Sequence, residues 1–227
     1  MQLSIIIPTL NESAVITDAL AALQPFRSAG HEVIVVDGGS DDGTPDLAKA
    51  MSDRAITTTR GRAVQMNAGA ELARGDTLLF LHADTRLPGD SADRVVSATA
   101  NAAEWGWFDV RLSGTRFLFR MIERTMNWRA RLTRIATGDQ AIFVRRELFM
   151  ILGGYPPLPL MEDIAMCKQL RKRAPAQCIR TPVTTSSRRW EQHGVLRTML
   201  LMWRLRLAYN LGADTTSLAV RYGSHFR

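Results

Sequence analysis

Lysine is scarce. Lys49, Lys168 and Lys172 are the only ones among 29 basic residues, and all the others are arginine. No lysine follows a glycine-rich turn and no G-x-G-x-x-G opens a helix, so P-loop and dinucleotide-binding readings have no support. Cysteine is limited to Cys167 and Cys178, with no C-x-x-C spacing and no neighbouring histidine pair. That excludes a disulfide framework and predicts buried free thiols in a reducing, cytoplasmic compartment. No apolar run approaches the about 18 residues that a membrane span needs. The short run Leu3–Ile7 has no basic residue before it and ends in Pro8, so it reads as a first strand rather than a signal segment. Low-complexity tracts, long linkers and internal repeats are also missing.

What remains is an ordinary globular chain of 227 residues, 46% hydrophobic and 22% charged. It is sized for one α/β domain over residues 1–227, with a nucleotide-binding half to about residue 100 and an acceptor half beyond it. The net charge of +7, carried by arginine, suits three partners: nucleic acid, an anionic membrane surface or a phosphorylated small molecule.

Buried β-branched or apolar runs at Leu3–Ile7, Glu32–Val36, Ala55–Thr58 and Thr77–Leu81 alternate with helical spacings from Ile16 to Leu23, after Thr44-Pro45 and over Arg62–Ala73. Asn11 or Ser13 is expected to cap the first helix. This alternation predicts a mostly parallel sheet covered by helices, with ligands bound beyond the carboxyl ends of the strands. The second half is less regular. Strands are expected over Phe108–Leu112 and Gln140–Val144, and helices over Phe117–Arg134, Glu147–Leu152, Asp163–Arg173 and Leu196–Leu211.

Three strand ends carry carboxylates: Pro8-Thr9-Leu10-Asn11-Glu12, Asp37-Gly38-Gly39 and His82-Ala83-Asp84. Asp37 can accept from a base N–H or a ribose hydroxyl, or can satisfy its own turn. His82 and Asp84, two residues apart in extended chain, face one way and can reach one divalent cation bridging a diphosphate. Glu162-Asp163 opens a helix, where an acid is either a dipole partner or a general base. Arg60, Arg62 and Arg188-Arg189-Trp190 are candidate diphosphate contacts or solvated surface.

In order along the chain, these pieces resemble the family 2 glycosyltransferases of the GT-A fold. Ser4–Glu12 looks like the family's opening strand and loop, and Val35–Thr44 like its nucleotide-binding turn. Gly61–Gly69 resembles the segment over the nucleotide. His82-Ala83-Asp84 stands at the Asp-x-Asp metal motif, Glu162-Asp163 at the catalytic base, and Arg188-Arg189-Trp190 at the Arg-Trp element. Phe80–Thr85, Phe108–Leu112 and Gly138-Asp139-Gln140 resemble a small bacterial subgroup often encoded near radical-SAM or selenium-related proteins. The resemblance implies an inverting transfer from a nucleotide-diphosphate sugar, usually UDP-linked and sometimes GDP-linked. Pro8, Thr9, Asn11, Glu12, Asp37, Gly38, Arg62, Asn67, His82, Ala83, Arg189 and Trp190 would hold the nucleotide. Asp84, with His82, would bind Mn²⁺ or Mg²⁺, and Asp163 beside Glu162 would deprotonate the acceptor. One position departs from the motif: His82 replaces its first acid. Histidine suits Mn²⁺ better than Mg²⁺, so the metal falls mainly to Asp84.

Two stretches are basic and amphipathic. Leu196, Met199, Leu200, Trp203 and Leu207 share a stripe, and Phe117, Met121 and Trp128 lie among Arg116, Arg120, Arg124, Arg131 and Arg134. Such faces serve a core, a homodimer surface or the interface of an anionic membrane, the last suiting a lipid or polyprenyl-phosphate acceptor. The rival readings are an arginine-rich nucleic-acid-binding protein, a sugar nucleotidyltransferase and an inactive nucleotide binder. No nucleic-acid motif or stacking pattern of aromatics appears. The loop after the first strand also lacks the glycine- and arginine-rich character that a nucleotidyltransferase wants.

Overall fold

A computed structural model describes residues 2–225. β1 (Leu3–Thr9), β2 (Glu32–Asp37), β3 (Arg54–Thr57) and β4 (Thr77–Phe80) are linked by α1 (Ser13–Ser28), α2 (Thr44–Met51) and α3 (Arg62–Leu72). β5 (Thr85–Arg86), α4 (Ser91–Ala100), β6 (Trp105–Leu112) and α5 (Phe117–Thr133) follow. β7 (Ile142–Arg145), α6 (Arg146–Ile151), α7 (Glu162–Arg173) and β8 (Ala176–Thr185) come next, and α8 (Arg188–His193), α9 (Val195–Asn210) and α10 (Thr215–His225) end the described chain.

The eight strands form one sheet in the order β3-β2-β1-β4-β7-β6-β8-β5. β7 runs antiparallel to both its neighbours, β5 is antiparallel to β8, and every other pairing is parallel. The carboxyl ends of β1, β2, β4, β6 and β8 and the amino end of β7 therefore share one rim. Strand order reverses at β1, with β2 on one side and β4 on the other, and the crevice of such a sheet opens there.

The strands carry continuous apolar runs because both faces are covered. Leu3, Ile5, Ile7, Val33 and Val35 join a core beneath α1 and α4. Ile6, Ile34 and Val36 join a second core beneath α3, α6 and α7. α3 lies close on β1: a Cβ at Gly69 would stand 2.5 Å from the Ile6 side chain, so the residue has no room to grow.

Several local expectations are corrected. Pro8 does not stop β1, which runs on to Thr9 beside β2. Pairing with β4 has already ended at Ile6, so the missing N–H falls where the neighbouring strand stops. Neither Asn11 nor Ser13 caps α1. Asn11, at φ 55°, accepts from the Asp41 N–H, and the N–H groups of Glu12, before the helix, and of Ser13, its first residue, donate to Thr44 at the start of α2 and to Asp42 just before it. Cys167 is buried as expected, but Cys178 is half-buried beside Asp109. β5, β8, α4, α8 and α10 were not foreseen.

α5 is inverted relative to an ordinary amphipathic helix. β6 pairs with β7 only through Trp105 and Gly106, so the rest of that edge needs other partners. α5 supplies them. Asn127 bonds both the N–H and C=O of Val110, Glu123 accepts from the Leu112 N–H, and Arg131 pairs with Asp109. These polar residues face the sheet, and Phe117, Met121, Trp128 and Leu132 face outward. α9 likewise leaves Leu196, Leu200, Trp203, Leu207 and Leu211 exposed while Val195, Thr198 and Leu205 are buried. Among the described residues, no helix is long and apolar enough to cross a membrane.

Candidate active site

A cavity of about 460 Å³ opens over the shared rim. The end of β1 brings Pro8 and Glu12, and the end of β4 brings His82, Ala83 and Asp84. The turn before β7 brings Gly138 and Asp139, the start of α7 brings Glu162 and Asp163, and the segment after β8 brings Arg188, Arg189 and Trp190. Arg62, at the start of α3, completes this half. Eleven candidate site residues from the sequence reach the cavity: Pro8, Glu12, Arg62, His82, Ala83, Asp84, Glu162, Asp163, Arg188, Arg189 and Trp190.

Thr9, Asn11, Asp37, Gly38 and Asn67 do not line it. The buried Asp37 carboxylate accepts from the N–H groups of Gly39 and Ser40 and from the hydroxyls of Ser40 and Thr9. It shapes its own turn. Gln65, which the sequence did not flag, donates to the carbonyls of Thr9 at 2.7 Å and Val36 at 2.8 Å, holding the ends of β1 and β2 together. Asn67 bonds both backbone groups of Tyr155, so it fixes the loop before α7 rather than facing a ligand.

Met161 lies in the left-handed region, at φ 68°, and turns that loop so that α7 starts at Glu162. The Asp163 carboxylate accepts from its neighbour Ile164 N–H at 2.7 Å and from Gly138 N–H at 3.0 Å. Two backbone donors from different elements thus set its direction. Glu162, almost fully buried, faces Arg62 at 3.5 Å. Burial pushes the Glu162 carboxyl up, Arg62 opposes this, and Asp163 adds to it. Glu12 is also raised, first by burial and then by the charge of Asp84.

One side of the His82 ring is engaged, and the other, Nε2, is buried against Gly138 without a hydrogen-bond partner. Nδ1 lies 3.2 Å from Asp139, and Nε2 packs where a side chain at Gly138 would begin, 2.3 Å from an added Cβ. Burial acts to raise the Asp139 carboxyl, but His82, Arg189 and Arg62 outweigh it and hold it well below the usual range. Asp84 and Asp139 therefore offer carboxylates to the cavity, and His82 orients Asp139. Among the described residues, no group of three or more His, Cys, Asp or Glu gathers into a cage. That donor set fits a cation held by one or two carboxylates and largely by substrate oxygens, as Mg²⁺ and Mn²⁺ are at phosphate sites.

The other half of the cavity is walled by α5 and α9: Ile122, Met126 and Arg129 from the first, Met199, Met202, Trp203 and Arg206 from the second. The Arg129 guanidinium is drawn down to about 10, by burial and then by repulsion from Arg206. Asp139, Arg129 and Arg206 had no assigned role in the sequence. A signal existed for Arg129, which lies seven residues after Ile122 and three after Met126, on the face of α5 away from the exposed stripe.

Residues 4–151 match the profile of glycosyl transferase family 2. A PGL/p-HBAD biosynthesis glycosyltransferase of Mycobacterium tuberculosis is 35% identical over 162 residues, which span 67% of this chain and 62% of that protein. An undecaprenyl-phosphate 4-deoxy-4-formamido-L-arabinose transferase of Pseudomonas aeruginosa is 29% identical over 179 residues, spanning 73% of this chain and 50% of the relative. The chain thus spans about half to two thirds of the curated relatives it matches. The fold is similar to that of glucosyl-3-phosphoglycerate synthase from Mycobacterium tuberculosis, solved with Mn²⁺, UDP and glucosyl-3-phosphoglycerate. The TM-score is 0.65 at 17% identity, over 94% of this chain and 81% of the other. With the sheet order, the rim cavity and a profile match over more than half its length, the chain belongs to glycosyl transferase family 2.

Proposed function

We propose that the protein is an inverting glycosyltransferase that moves a sugar from a nucleotide-diphosphate donor, UDP-linked by preference, to a lipid or polyprenyl-phosphate acceptor. The observation that carries this reading is the convergence of Glu12, Asp84, Asp139, Asp163, Arg188 and Arg189 on one cavity at the strand-reversal rim. The family membership, a relative named for undecaprenyl phosphate and a structural neighbour solved with UDP and Mn²⁺ support it.

In this reading the nucleotide lies in the cavity over the end of β1, against Pro8, Glu12 and Arg62. Arg188 and Arg189 neutralise the departing diphosphate beside Asp84. A divalent cation bound there would withdraw charge from the same leaving group. Where the acceptor attacks through a hydroxyl, Asp163 takes its proton, and its two backbone donors hold it in one orientation; an ionised phosphate oxygen would attack without a base. Preorganised charge of this kind is the main source of rate in such transfers. The direct test is product identity. With a UDP-sugar the protein should release UDP as sugar is transferred, and release of pyrophosphate instead would remove this reading in favour of nucleotidyl transfer.

The exposed apolar stripes of α5 and α9, edged by arginines, support docking on an anionic membrane, with the cavity between them facing the lipid. The protein should sediment with phosphatidylglycerol-containing vesicles and not with neutral ones. Trp128→Glu with Trp203→Glu should weaken that binding at least about tenfold, since each change loses an interfacial anchor and adds a repelled charge. Unchanged vesicle binding in the double variant would refute the docking face. So would concentration-dependent dimerisation of the wild type that the same changes abolish, because the stripes would then serve a homodimer.

A further inference from the structure

Five arginines line the cavity, and three have partners. Arg62 faces Glu162, Arg188 stands 4.0 Å from Glu12, and Arg189 lies over the Tyr222 ring at 5.6 Å. Arg129 and Arg206 have no ion pair among the described residues, and Arg129 Nη2 is buried without a hydrogen-bond partner. They come from separate helices, α5 and α9, and sit close enough to repel each other. A half-buried pair of like charges costs stability unless something compensates it. The nearest acid acting on both is Asp163, whose two oxygens are already bonded to Gly138 and Ile164.

The two ends of the cavity differ in charge setting. Glu12 responds to Asp84, Arg188 and Arg189, all at the strand rim. Arg129 responds to Arg206, Asp163 and Cys167, and Arg206 to Asp163 and Asp139, and neither to Glu12 or Asp84. Beside the arginine pair the wall turns apolar through Ile122, Met126, Met199 and Met202, and it reaches the surface at Trp203, which is 53% exposed.

We propose that Arg129 and Arg206 form a subsite for a phosphate monoester carried by the acceptor, with its apolar portion lying along the methionine wall toward Trp203. A dianionic phosphate matches two guanidinium forks in charge and in hydrogen-bond geometry. Asp163 acts on Arg62 at the donor end as well as on both arginines, so a hydroxyl of an acceptor anchored by its phosphate is brought to the base, and an acceptor with no hydroxyl attacks through the ionised phosphate itself. The inference rests on the glycosyltransferase reading and gives the acceptor its chemical class.

The test is calorimetric titration of the full chain with geranyl phosphate and with glycerol 3-phosphate, alongside UDP with Mn²⁺. Wild type, Arg129→Gln, Arg206→Gln and Arg129→Lys are compared. Each glutamine variant should bind the phosphate monoesters about tenfold or more weakly, Arg129→Lys should recover part of the loss, and UDP affinity should change less than about twofold. Tighter binding of geranyl phosphate than of glycerol 3-phosphate would identify a lipid phosphate. Equal binding would keep the arginine phosphate subsite but overturn the apolar portion along the methionine wall and point to a soluble phosphate. Phosphate binding that is absent in wild type, or unaffected by either glutamine, overturns the subsite. A matching loss of UDP affinity also overturns it, because the arginines would then hold the donor diphosphate. If UDP and GDP bind none of the proteins while the phosphate monoesters still depend on the arginines, the donor reading fails and the subsite stands.

Discussion

Asp163→Asn is expected to lower turnover by about 10²–10⁴-fold while leaving nucleotide affinity nearly unchanged. Asparagine keeps the shape, and its amide oxygen can still accept from one of the two backbone N–H groups that hold Asp163, those of Ile164 and Gly138. It cannot take a proton from an acceptor hydroxyl. The measurement is steady-state release of nucleoside diphosphate, with binding followed separately so that kcat and affinity are not confused. Glu162→Gln serves as the contrast. Glu162 is almost fully buried and its carboxylate is engaged by Arg62, so it is poorly placed to reach an acceptor as the base. Its loss should act through the position of Arg62 and cost less than the loss of Asp163. A loss below about tenfold in Asp163→Asn would mean that the attacking oxygen needs no base. An already ionised phosphate oxygen is the obvious candidate, so the size of the effect also reports on the acceptor.

The elements up to Leu81 are legible because local sequence and fold agree there. Ile5–Ile7 and Val33–Val36 are apolar at every position because both faces of the sheet are covered. The polar strand ends then mark the rim with almost no ambiguity. Beyond Ala100 the agreement breaks down. β8 includes Arg180, Thr181 and Pro182, and it shifts register against β6 between Phe108 and Asp109, so no clean alternation marks it. The apolar stripe of α5 points outward because Glu123, Asn127 and Arg131 are needed by the unpaired edge of β6. Periodicity gives the helix but not which side is buried. The same limit applies within the site. Asp37 and Asn67 carry side chains suited to a nucleotide, yet in this structure they complete backbone hydrogen bonds. Asp139 was passed over because nothing local says that His82, 57 residues earlier, would orient it.

Asp84→Ala should abolish the metal-dependent part of nucleotide binding. At a concentration of about 100 times its dissociation constant, UDP or GDP adds about 2.7 kcal/mol to the stability of the folded state. For a chain of this size that raises the melting temperature by roughly 5–10 °C. In wild type the rise should appear with Mn²⁺ or Mg²⁺ and shrink in EDTA. In Asp84→Ala the values with and without metal should converge, because Asp84 stands at the donor end beside Glu12 and the Arg188-Arg189 segment. Asp139→Asn provides the second arm. If His82 orients Asp139 as a further oxygen donor, this change should weaken the metal effect without removing it, and His82→Ala should behave similarly. A wild-type protein stabilised equally in EDTA would place the diphosphate on arginine alone, and Asp84→Ala would then leave the melting shift intact. No response to either nucleotide under any metal condition would count against the donor site itself, whatever the acceptor arginines bind.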